Sequence, residues 1–262
     1  MNGAIVLIGV GKAVALSIMA AVWLVSVRIR NAGIVDVAWS ALFAMLASIY
    51  ALLAHGDPVR RFAAAGMMVF WSVRLAWHLG RRVLGHLETE DPRYASLRAK
   101  WGRGANRNML FFFLFQGVTN VLLSVPVLLA AMNARPGLRV VEYAGIALWL
   151  VALIGESEAD AQLARFRRNP ANRGHVCTDG LWGYSRHPNY FFEWLIWCAF
   201  FLFALGSPWG WVAAYCPVLM LWFLYKVTGI PATEAHSLLT KGEEYRRYQR
   251  TTSAFVPWLR KG

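Results

Sequence analysis

Arg186, His187, Asn189 and Glu193 fall within eight residues of the stretch GLWGYSRHPNYFFEWLIW (180–197), just where an apolar run begins. Asn189 and Glu193 are four residues apart and so share one face if the segment is helical. An amide, which both donates and accepts, beside a carboxylate, which only accepts, suits recognition of a carboxamide. Glu156 and Asp160 repeat the spacing, and Arg167 follows two turns later if that helix continues. Arg74, His78 and Arg81 lie at i, i+4 and i+7 in WSVRLAWHLGRR, and Asp36 sits one turn into the apolar run that starts in NAGIVDVAWS. Ionisable groups inside such runs are costly and by default mark a functional interior. Arginines there suit the phosphates of an anionic cofactor.

The elements that must carry these groups are long and apolar. Of the 262 residues 58% are hydrophobic and only 16% charged, against about a quarter charged in a soluble domain. Runs at about 4–27, 33–54, 62–80, 109–132, 140–155, 190–205 and 209–228 approach the roughly 20 residues that cross a bilayer as a helix. The expected fold is all-α: a polytopic integral membrane protein with seven transmembrane helices, forming one domain over 1–262 with a cofactor-binding part at about 140–262. Segments 28–32, 81–108, 156–189 and 226–262 hold 2, 7, 5 and 7 Lys and Arg, whereas 55–61, 133–139 and 206–208 hold 2, 2 and none. The positive-inside rule then puts the N-terminus outside and the C-terminus in the cytoplasm. It also explains the net charge of +13 better than nucleic acid does. The first run is too long for a signal-peptide core and is read as retained. Arginine outnumbers lysine 22 to 5, which points to a GC-rich bacterial genome and the inner membrane.

In this orientation Lys12 lies near the outer end, whereas Asp36, Arg74, His78, Arg81, Glu156, Asp160, Arg167, Asn189 and Glu193 all fall in the cytoplasmic half of the membrane or just beyond it. Their convergence predicts a polar cavity open to that side, with an apolar substrate entering from the bilayer. Arg74 serves equally well as a structural partner for Asp36. Arg81, Arg82 and Lys226 also suit interfacial anchoring, and Glu142 a helix end. The tryptophans of the last two runs fit interfacial belts. The three cysteines and His175, His187 and His236 form no metal-spaced set. GVGKA at 9–13 lies inside an apolar helix with no strand before it, so it is no dinucleotide fingerprint.

EDPRYASLRAKWG, ADAQLARFRRNPANRG, GLWGYSRHPNYFFEW and EEYRRYQRTTSAFVPW together resemble the steroid 5α-reductase family, most closely its bacterial branch, over nearly the whole chain. The resemblance implies a seven-helix membrane enzyme that uses NADPH to reduce a carbon–carbon double bond conjugated to a carbonyl, on a steroid or another lipid enone. It implies that Asn189 and Glu193 hold the nicotinamide carboxamide, and that Asp160 and Arg167, with Glu156 nearby, hold the ribose and phosphate portion. Tyr184, Arg186, His187, Arg74 and Arg81 complete the expected cofactor set. The family's catalytic Glu and Tyr are replaced here: Asp36 is the only acid in the second run, and His78 stands three residues before an Arg where the Tyr is expected. Asp36 and His78 are therefore the expected donors to the substrate carbonyl.

RHPNY followed by EEYRRY also resembles membrane methyltransferases of the isoprenylcysteine and phospholipid type. That alternative puts S-adenosylmethionine against Arg186, His187, Tyr190 and Glu234. A transporter lined by Asp36, Arg74 and His78 is the third class, but no repeat relates two halves of the chain.

Overall fold

The computed structural model describes residues 2–85, 87–227 and 229–260. Among these, the elements are helices, and the sole bridge between extended residues is an isolated parallel one, Ser185 with Ser253. Six helical runs are long and apolar enough to cross a membrane, and a seventh apolar helix has 17 residues. These features are compatible with a multi-pass membrane protein. The chain divides into two compact units, Met1–Glu142 with Phe203–Ala213, and Tyr143–Leu202 with Ala214–Gly262.

The first unit contains α1 (Asn2–Ile29), α2 (Ile34–Leu53), α3 (Pro58–Leu84), α4 (Pro92–Trp101), α5 (Ala105–Leu123) and α6 (Val125–Met132). Helix α2 packs against α3, α1 and α5, and α1 also lies along α5. Gly117 permits that approach, since a Cβ there would lie 3.3 Å from the Ala15 carbonyl. Apolar side chains have no hydrophobic preference for one another over lipid tails, so close packing and polar contacts carry such interfaces. Ser72 on α3 donates to the Ser40 carbonyl and accepts from Ala44 N at 3.0 Å. Asn120 on α5 donates to the Trp39 carbonyl at 3.0 Å. Trp39, Phe43 and Trp71 form the aromatic core between α2 and α3.

The expected span at 109–132 lies within one helical run, Pro92–Met132, with a turn at Ser124 between α5 and α6. Ser124 ends α5 with φ −83 and ψ −6, and Pro126, which lacks an N–H, occupies the first turn of α6. At the start of α3, Arg60 is completely buried with Glu142, Nε to Oε1 at 2.5 Å and Nη2 to Oε2 at 3.2 Å. The same guanidinium donates to the carbonyls of Asn133, Arg135 and Gly137, and Arg139 N donates to Glu142 at 2.7 Å. One buried cation thus satisfies the chain that leads from α6 into the next helix, and Glu142 is far more than a helix-end residue.

The second unit is built on α7 (Val140–Arg168), which begins in the first unit, with α8 (Pro188–Ala204), α9 (Tyr215–Trp222) and α10 (Ile230–Thr251). Helix α7 runs thirteen residues past its expected apolar limit of 155, so Arg167 does lie on the same helix as Glu156 and Asp160. Arg165, Arg167 and Arg168 in its last turn complement the negative end of the helix dipole. The expected run at 209–228 begins in a 3-10 turn, Gly210–Ala214, and closes in a π turn, Phe223–Val227. Residues 252–260 fold back on the RHPNY segment. Arg186 N donates to Ser253 O at 2.8 Å, Ser185 Oγ to Phe255 O at 2.8 Å, and Trp258 N to Tyr184 O at 2.9 Å.

Candidate functional site

Pro188 occupies the first turn of α8 and places Asn189 and Glu193 one turn apart at its start. Gly155 lets α8 come against α7 here: a Cβ on Gly155 would strike the Phe192 ring at 2.3 Å. The approach brings Asn189 Nδ2 to Asp160 Oδ1 at 3.4 Å. Asp160 is 8% exposed and Glu156, one turn earlier, 2%. Asn189 and Glu193 are half-buried, while Arg167 and Tyr184 are exposed. The residues joined here by α7 and α8 are two desolvated acids and an amide.

Just before α8, Arg186 and His187 turn toward α10. Arg186 Nε donates to Glu234 Oε1 at 2.7 Å, and its Nη1 to the carbonyls of Gln249 at 2.9 Å and Thr252 at 2.7 Å. His187 Nε2 lies 3.3 Å from the same Glu234 oxygen, and Gln249 Nε2 donates to the other at 2.8 Å. The buried His187 ring stacks on Tyr190 with centroids 5.4 Å apart, and Tyr190 Oη is 3.3 Å from Thr233 Oγ1. Glu234 is thus the acid that organises the RHPNY segment. Gln249, its third partner, is not legible from motif spacing.

In the first unit Asp36 occupies the first turn of α2, where a carboxylate favours the helix dipole. Its Oδ1 accepts from Tyr94 Oη at 2.5 Å and its Oδ2 from Arg93 Nη2 at 2.8 Å, with Arg82 Nη2 at 3.8 Å. Arg93 also grips Asp91 through Nε and Nη2, both at 3.0 Å. Asp91 caps α4 by accepting from Arg93 N at 3.0 Å, with Pro92 next, the usual helix-start pattern. Sequence spacing assigns Arg93 and Tyr94 no role. The Asp-Pro start, which places both in the first turn of a short helix, is the signal that could have found them. Tyr94 Oη is the hydroxyl donor of this cluster, and both Asp36 oxygens accept. His78 and Arg74 are half-buried on α3 and Arg81 is exposed. Arg82, one turn after His78, reaches Asp36 and Asp91, which goes beyond interfacial anchoring.

Burial disfavours the charged form of Asp91, but hydrogen bonds from Arg93 and the charges of Arg93 and Arg82 outweigh it and hold the carboxyl below its usual value. A lowered folded-state pKa contributes stability that is complete above the unfolded value of about 3.9 and is lost as pH falls through the folded one. The α3–α4 loop is therefore expected to become susceptible to protease below about pH 4. Asp91→Asn should show the same cleavage at neutral pH. Equal resistance of wild type and variant across that range would contradict the assignment.

The family whose model matches residues 22–252 is described as a protein of unknown function (DUF1295). The chain belongs to that family. It is also 27% identical to the "Uncharacterized protein C594.04c" of Schizosaccharomyces pombe over 271 residues, covering 90% of this chain and 76% of the yeast protein. No solved structure matches.

Proposed function

We propose that this DUF1295 protein is a membrane-embedded, NADPH-dependent reductase of a carbon–carbon double bond conjugated to a carbonyl. The family includes steroid 5α-reductase-like proteins, in keeping with the resemblance of the sequence. The observation that carries the reading is the juxtaposition of Asn189 with Asp160 beside Glu156. A carboxylate only accepts and so suits the hydroxyls of a ribose, and Asn189 with Glu193 offers the complementary pattern for a carboxamide. Arg167 at the α7 end suits a phosphate. The residues present therefore fit the group. Tyr184, Arg74 and Arg81 stay in the proposed cofactor set by resemblance.

The bound cofactor would supply a hydride, which adds at the β-carbon of an enone while a proton adds at the α-carbon. Negative charge develops on the carbonyl oxygen, and preorganised donors lower the barrier by meeting it. Asp36 holds the Tyr94 proton in place, and His78 is the second donor. The substrate proposed is a steroid or other lipid enone that arrives through the bilayer. The setting proposed is seven spans in a bacterial inner membrane, with the N-terminus outside and the C-terminus cytoplasmic.

The methyltransferase reading is favoured by one observation, the assembly of Arg186, His187 and Tyr190 with Glu234 and its helix. Yet Arg186 Nε and Nη1 are committed to Glu234 and to two carbonyls, which fits a segment clamp better than a cofactor cradle and counts equally against Arg186 in the expected NADPH set. Calorimetry on detergent-purified protein with NADPH, NADH and S-adenosylmethionine separates the two. Saturable NADPH binding, weakened at least about tenfold in Asn189→Ala, is expected. Binding of S-adenosylmethionine alone, lost in Glu234→Gln, would replace the reductase reading.

A further inference from the structure

The Asp36–Tyr94 bond joins groups 58 residues apart in the chain. Helix α4, which carries Tyr94, has ten residues, too few to be stable alone, so contacts with its neighbours must place it. One such contact lies outside the cluster already described. Glu90 Oε1 accepts from Ala32 N at 2.9 Å and from Arg98 Nη2 at 2.9 Å, and its Oε2 accepts from Arg98 Nε at 3.1 Å. Ala32 stands four residues before Asp36, and Arg98 stands one turn after Tyr94 on the same helix face. A single carboxylate therefore ties the backbone behind one member of the pair to the helix that carries the other.

The surroundings make this tie firm. The Glu90 side chain is only 12% exposed, and its grip on Arg98 is the two-pronged kind that outlasts an ordinary surface pair. Arg98 Nη1 reaches on to Asn106 Oδ1 at 3.0 Å, at the start of α5. Ala32 is completely buried, so its N–H has no recourse to water and loses a full hydrogen bond without Glu90. The neighbouring turn is fastened to the same loop: Asn31 Nδ2 donates to Leu87 O at 3.0 Å, and Asn31 Oδ1 accepts from Gly33 N at 2.9 Å.

We infer that Glu90 is a positioning residue, which through Ala32 N and the Arg98 fork holds α2 and α4 in the register that seats the Tyr94 hydroxyl on Asp36. Its part in turnover rests on the reductase reading and is exerted only through that pair. Misplacing a reacting group by about 1 Å can cost about 10²-fold in rate, which sets the scale of the effect.

The test places 3-fluorotyrosine at position 94 and reads its fluorine resonance in nanodiscs, alongside kcat for a 3-oxo-Δ4-steroid and KM for NADPH. Asp36→Asn marks the resonance of the hydroxyl without its carboxylate acceptor. Glu90→Met and Arg98→Met are expected to move the resonance toward that mark and to lower kcat by about 10–10²-fold, with KM for NADPH unchanged. Glu90→Gln keeps an oxygen for Ala32 N but not the charge facing Arg98. It is expected to lie between, and it carries the test if Glu90→Met does not fold. A wild-type resonance in these variants, or a shifted resonance with full kcat, would overturn the inference and leave the reductase reading standing. A shifted resonance in a protein that leaves steroid and short-chain enones unreduced would remove the reductase reading, and Glu90 would remain the residue that seats Tyr94 on Asp36.

Discussion

Arg60→Met is expected to abolish the folded protein, seen as loss of monodisperse protein on detergent extraction and loss of a cooperative thermal transition. Both members of the Arg60–Glu142 pair are completely buried. Removing one partner of a buried pair costs about 3–5 kcal/mol, because the other charge is left without compensation. Here the cost is larger in kind, since the carbonyls of Arg135 and Gly137 lose this donor too, while Asn133 O keeps Asp57 N at 2.8 Å. Arg60→Lys is expected to recover part of the stability, because an ammonium keeps the charge but not the planar fork that reaches several acceptors at once. The double variant Arg60→Met with Glu142→Leu should sit between wild type and Arg60→Met. If Arg60→Met melts like wild type, the pair is not the fastening described.

On the proposed reductase reading, Asp36→Asn is expected to lower enone reduction at saturating NADPH by roughly 10²–10³-fold, with little change in cofactor affinity. Asp36 receives the Tyr94 hydroxyl on one oxygen and Arg93 on the other, so the substitution disturbs the orientation of both. Tyr94→Phe removes the proton itself and should match the Asp36→Asn loss. His78→Ala, as the second donor, is expected to cost about 10²-fold, in the range of general acid catalysis. Folding is checked by the melting temperature and chemistry by single turnover. Full turnover in folded Asp36→Asn and His78→Ala would remove both from the mechanism.

Elements whose pattern is local were legible in the sequence. The runs that became α1, α2 and α3 could be placed from apolar length alone, and the i, i+4 spacing put Asn189 with Glu193 and Glu156 with Asp160 on single helix faces. The ion pairs and the hydroxyl–carboxylate bond that organise the fold were not legible from local spacing, because their partners lie far apart in the chain. Arg60 and Glu142 are 82 residues apart, Tyr94 and Asp36 58, and Arg186 and Glu234 48. Taken alone, Arg60 reads as a loop cation and Glu142 as a helix-end acid, and only the methyltransferase resemblance brings Arg186 and Glu234 together. The turn at Ser124 within that run was not legible either: Pro126 is apolar in a hydropathy count yet cannot donate within a helix. Helix α7 passed its apolar limit because Glu, Asp, Gln, Ala and Arg are adequate helix formers once the helix has begun.

The fold-back of residues 252–260 onto Tyr184, Ser185 and Arg186 has a consequence for biosynthesis. The backbone and hydroxyl partners of that segment are translated about seventy residues after it, which at ordinary ribosomal speed is a delay on the order of several seconds. During that interval Tyr184 O, Ser185 Oγ and Arg186 N are without these partners. The RHPNY segment therefore takes its final form only after the last helix has emerged, and nascent chains stalled before Thr252 should display it to a protease that the finished protein resists.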